Sequence, residues 1–83
     1  MYYTYVLKSL NTKHYYIGQT DNLDKRLKSH NAGESKYTKL YKPWKIHYSE
    51  EFQTRSEAYR REMEIKSWKS HERIVQLVKR IPS

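Results

Sequence analysis

Two aromatic, β-branched runs, residues 2–7 and 14–19, lie on either side of one short polar segment, residues 9–13. Side chains of this kind favour strands, and Asn11 in the connection tolerates the positive φ of a tight turn. The expected result is an antiparallel hairpin. Gly18, near the end of the second run, marks a bend or a close approach of backbone. Alternation sends Tyr15 and Tyr16 to opposite faces. Tyr5 and Tyr16 can come near each other once the strands pair.

The rest of the chain alternates helical and extended patterns. Asp21 or Asn22 can cap a helix over residues 23–31. Leu23 and Leu27 share its buried face, while Arg26 and His30, also four apart, share an adjacent one. Asn31-Ala32-Gly33 closes that helix, and residues 33–43 read as a basic loop. A third strand follows over residues 44–52, with Trp44, Ile46 and Tyr48 alternating against Lys45, His47 and Ser49. Thr54 with Glu57 three residues on is a capping box, so a helix runs from there to about Ser67. Ser70 can cap a last helix in which Ile74, Leu77, Val78 and Ile81 recur at helical spacing. The order is β-β-α-β-α-α. This is an α+β chain, a small sheet with helices packed on it, in one domain over residues 1–83.

Composition narrows the function. The 83 residues contain no cysteine, so neither disulfides nor thiolate zinc sites are available. No stretch reaches the roughly 20 apolar residues of a membrane span, and the N-terminus lacks a signal-peptide pattern. The expected location is cytoplasmic. The net charge is +8, and between residues 25 and 45 Lys25, Arg26, Lys28, Lys36, Lys39, Lys42 and Lys45 face Glu34 alone. Tyr37, Tyr41 and Trp44 are interleaved with these cations. Such a field attracts polyanions, nucleic acid foremost, although a basic surface also serves solubility.

A few residues carry possible chemistry. On a helical wheel Glu62 falls about 40° from Ala58, on the arc that should face the core. A carboxylate there is costly unless it is paired or binds a metal. The competing account is a boundary residue paired with Lys66 at i+4. The Arg26 fork matches phosphate oxygens, though most helix arginines are merely solvated. His30, one turn on, can donate a hydrogen bond or move a proton near neutral pH, or it is a surface histidine near a helix end. Tyr5 and Tyr16 are either core residues with satisfied hydroxyls or groups that orient or deprotonate water. The histidines at 14, 30, 47 and 71 show no paired metal spacing.

Taken in register, these residues resemble the GIY-YIG nuclease family, most of all its small stand-alone UPF0213 (YhbQ-like) bacterial group. Tyr3-Thr4-Tyr5 stands for the first triplet and Tyr16-Ile17-Gly18 for the second. Leu23, Arg26, Leu27 and His30 look like the helix that follows, and Ser56-Glu57-Ala58 leading to Glu62 like the segment with the metal-binding glutamate. The resemblance implies a single magnesium (or manganese) ion on Glu62 and Tyr16 as general base or water-orienting group, assisted by Tyr5. It also implies Arg26 against the phosphoryl charge, His30 in support, and Gly18 letting phosphate or strand come close. Lys25, Arg26, Lys28, Lys36, Lys39 and Lys42 would hold the nucleic acid. The implied activity is hydrolysis of DNA phosphodiester bonds, with branched or repair intermediates as substrates and a protein partner supplying specificity. Tyr3 and Thr4 replace the glycine and isoleucine of the first triplet, and Gln19 stands where several family nucleases have lysine. Two other readings remain: a non-catalytic nucleic-acid-binding module of the same fold, and an adaptor binding a partner through Ile74, Val75, Leu77, Val78 and Ile81.

Overall fold

A computed structural model describes residues 1–79. Strands β1 (Tyr2–Ser9), β2 (Tyr15–Thr20) and β3 (Trp44–Phe52) form one antiparallel sheet in the order β2-β1-β3. Helices α1 (Leu23–Asn31), α2 (Lys36–Lys39), α3 (Arg55–Ser67) and α4 (His71–Lys79) flank it. The expected order holds, with one addition: the segment expected as a basic loop contains the single turn α2. Ile81, expected on the last helix, lies outside the described residues.

β1 is the central strand and is covered on both faces, so its run from Thr4 to Leu7 is continuously buried rather than alternating. Tyr5 and Leu7 pack with Trp44 against Leu23 and Leu27 of α1. Val6 packs on the other face with Ile65 of α3 and with Ile74 and Leu77 of α4. Small Ala58 lets α3 approach the sheet closely enough for the Thr4 hydroxyl to donate to the Ala58 carbonyl at 2.7 Å. The caps are those the sequence signals. Asn22 accepts from the Lys25 amide at 3.0 Å, Thr54 and Glu57 close the capping box, and the Ser70 hydroxyl accepts from the Arg73 amide at 3.3 Å.

The third strand departs from simple alternation. Val6 pairs with Tyr48 but Leu7 pairs with Ile46, which leaves His47 as a bulge. One extra residue reverses the facing of everything beyond it. Trp44 and Ile46 therefore lie on the α1 face, whereas Tyr48 joins Val6 on the α3 face. The same reversal carries Glu50, paired with Thr4, toward α3, where Arg61 meets it at 3.0 Å.

α4 spends its apolar face on the domain's own core: Ile74 and Leu77 are buried and Val75 and Val78 half-buried. Two of the residues named for the adaptor reading, Ile74 and Leu77, are thus spent inside the domain. Among the described residues no helix is long and apolar enough to cross a membrane.

Candidate active site

The site grows from the pairing of Tyr5 with Gly18. Both lie on the α1 face of the sheet, and β2 has a free edge. With no side chain on Gly18, the Tyr5 phenol extends across it. A methyl group at Gly18 would sit 2.5 Å from the Tyr5 hydroxyl and 2.7 Å from its ring carbon Cζ. The resemblance implies that Gly18 lets phosphate or strand come close; in the structure the Tyr5 phenol lies against it.

Arg26 and His30 meet at that hydroxyl, as their shared helix face requires. Arg26 Nε donates to the Tyr5 oxygen at 3.4 Å, and His30 Nε2 lies 3.1 Å from it. His30 Nδ1 lies 2.8 Å from the Thr38 hydroxyl of α2. One arrangement uses all three of these contacts and gives the Tyr5 proton an acceptor. Arginine only donates, so the Tyr5 proton points to His30 Nε2, and His30 carries its own proton on Nδ1 toward Thr38. His30 is 1 % exposed, so it is no surface residue. Burial, aided by the Arg26 charge, lowers its pKa to about 4. The ring is thus neutral and an acceptor at physiological pH. Burial pushes the Tyr5 phenol up to about 12 despite the Arg26 hydrogen bond, and the charges of Tyr16 and Glu62 add to the rise. Tyr16 lies over this group, its ring centroid 4.8 Å from that of His30 and 6.4 Å from that of Tyr5.

Glu62 comes from the opposite layer, on α3. Its side chain is 12 % exposed and its carboxylate accepts from Lys66 Nζ at 2.6 Å. The i+4 ion pair anticipated as the competing account is therefore present. Among the described residues no three His, Cys, Asp or Glu side chains cluster to hold a metal. A lone carboxylate matches the donor set of Mg²⁺, which keeps several waters and is bound through one or two carboxylates together with substrate phosphates. Among the described residues Lys66 engages Oε2 of Glu62 alone, so an ion there would bind through Oε1 or share the carboxylate with Lys66. Lys25, Lys28, Lys36, Lys39 and Lys42 are all exposed, and Lys39 and Lys42 converge beside Gly33.

Several supporting residues escaped the sequence reading. Thr38 is fully buried and orients His30; its carbonyl accepts from Trp44 Nε1 at 2.7 Å. Asn31 holds Trp44 by both main-chain groups, at 2.6 and 3.0 Å. Arg55 Nη1 donates to Gln19 at 3.2 Å, so a cation lies beside the glutamine that replaces lysine. None of these has a periodic signal, because each depends on a partner distant in sequence.

Comparison with known proteins places this geometry. The profile described as the GIY-YIG catalytic domain matches residues 1–74. A UPF0213 protein of Staphylococcus haemolyticus is 38 % identical over 95 % of this chain and 96 % of its own length. One from Bacillus licheniformis is 44 % identical over 90 % of this chain and 79 % of its own. The solution structure of a UPF0213 protein from Bacillus halodurans superposes with a TM-score of 0.58 at 33 % identity, covering 95 % of this chain and 84 % of that one. With the tyrosine pair, Gly18, Arg26 and His30 gathered at one sheet edge, the chain belongs to the GIY-YIG family and, within it, to the UPF0213 group.

Proposed function

We propose that this protein is a metal-dependent endonuclease that hydrolyses DNA phosphodiester bonds. The observation that carries the reading is the convergence of Arg26 and His30 on the Tyr5 hydroxyl beneath Tyr16, at an open sheet edge beside a basic surface. Tyr5 engages Nε of Arg26 and Tyr16 also lies against the guanidinium, whose planar fork matches phosphate oxygens. Tyr5, with its pKa near 12, keeps its proton and fixes Arg26 and His30 in place. That favours Tyr16 as the group that orients the attacking water. Neutral His30 steadies the Tyr5 hydroxyl by a hydrogen bond. A divalent ion on Glu62 would polarise the phosphoryl group and stabilise the leaving oxygen.

The test uses labelled single-stranded, duplex and branched DNA with magnesium, manganese or EDTA, alongside Glu62→Ala and Arg26→Ala. Cleavage is expected only with the divalent ion and is expected to vanish in both variants. Unchanged cleavage by Glu62→Ala would sink the metal assignment. One observation favours a second reading, a binding module without turnover: Lys66 already holds Oε2 of the Glu62 carboxylate. Binding to every substrate with no cleavage would select it.

A further inference from the structure

Beyond the site, four rings form a continuous row. The Tyr16 ring lies 6.1 Å from Tyr37, Tyr37 lies 5.3 Å from Tyr41, and Tyr41 stacks on His14 at 3.8 Å. Tyr37 is 45 % exposed. His14 in turn lines a cavity of about 460 Å³ on the far side of β2. Among the described residues its lining includes Ile17, Ile65 and Ile74, together with Lys13, Lys69 and the Glu62-paired Lys66, and no carboxylate. Among the described residues neither Lys13 nor Lys69 makes an ion pair.

Two further features mark this cavity. Lys69 holds a φ of 49°, a conformation glycine or asparagine would adopt at lower cost. The position lies just past the end of α3, where a left-handed residue closes the helix and turns the chain toward the cavity. Ser70, also in the lining, caps α4, so that helix begins at the cavity with its positive dipole end.

We propose that the ring row and the lysine-rimmed cavity form a track for an unpaired DNA strand running from Tyr16 over the β2 edge. The proposal rests on the nucleic-acid reading of the site and names its substrate class. Aromatic rings stack on bases whose faces are exposed, which a duplex does not offer. The half-buried Ile17 and Tyr15 suit a base, the lysines suit its phosphate, and the volume falls in the range of single small-ligand sites.

The test is fluorescence anisotropy with an oligodeoxythymidylate of about 12 nucleotides and a hairpin duplex of equal charge. Both are titrated against the wild type, Tyr37→Ala and Lys13→Glu/Lys69→Asn. Asparagine accepts the Lys69 backbone, so loss of binding there is not loss of fold, and melting curves check this. Each variant is expected to weaken single-strand binding about tenfold while duplex affinity changes less than twofold. Equal loss on both probes, or no loss on either, overturns the track. Cleavage is read separately. Wild type that prefers single strands without cutting upholds the track and refutes hydrolysis, whereas variants that cut and bind as wild type do the reverse.

Discussion

The Tyr5 hydroxyl occupies the space beside Gly18 where any other residue would place its Cβ, and this one relationship joins the two tyrosine triplets into a site. Gly18→Ala puts a methyl 2.5 Å from an oxygen held by both Arg26 and His30. We expect a loss of about 1–3 kcal/mol, read from urea denaturation. Tyr5→Phe removes the nearer clash and leaves Cζ at 2.7 Å, so the double variant should lose somewhat less than the sum of the single changes. Strict additivity would contradict the contact.

His30 sets an acid limit on stability. Its folded pKa near 4 lies below the unfolded value of about 6.5, so the unfolded chain binds the proton more readily. The contribution is intact above about pH 6.5 and is lost as pH falls from there toward 4, by about 3 kcal/mol in full. His47, also lowered by burial, acts in the same direction. Urea midpoints at pH 7.5 and 4.5 should fall steeply for the wild type and much less for His30→Gln.

Glu50 fastens α3 to the sheet. Arg61 Nε donates to both its oxygens at 3.0 and 3.2 Å, Arg61 Nη2 adds a third bond, and the Tyr48 hydroxyl donates to it. Glu50→Gln keeps the shape and removes the charge, and it should cost about 1.5–3 kcal/mol. The loss is read from urea midpoints of the variant beside the wild type.

Lys66 competes with any ion for the Glu62 carboxylate. Lys66→Gln removes a partly exposed ion pair worth about 0.2–1 kcal/mol, so Mn²⁺ should bind up to about fivefold more tightly. Glu62→Gln should abolish that binding. Unaltered Mn²⁺ affinity in Lys66→Gln would place the ion elsewhere.

The sequence alone determined the hairpin, the helix limits set by Asn22, Thr54 and Ser70, and the pairing of Arg26 with His30 on one face. Each follows from residues within a few positions of one another, where propensity, capping and the 3.6-residue repeat decide. Tertiary structure decided the rest. The bulge at His47 turned Tyr48 toward α3. The turn of α2 delivered Thr38 to a buried His30. Tyr5 filled the space at Gly18, and Glu62 arrived from the opposite layer already paired with Lys66. Most of these join residues far apart in sequence, and strand register and helix packing determine which of them meet.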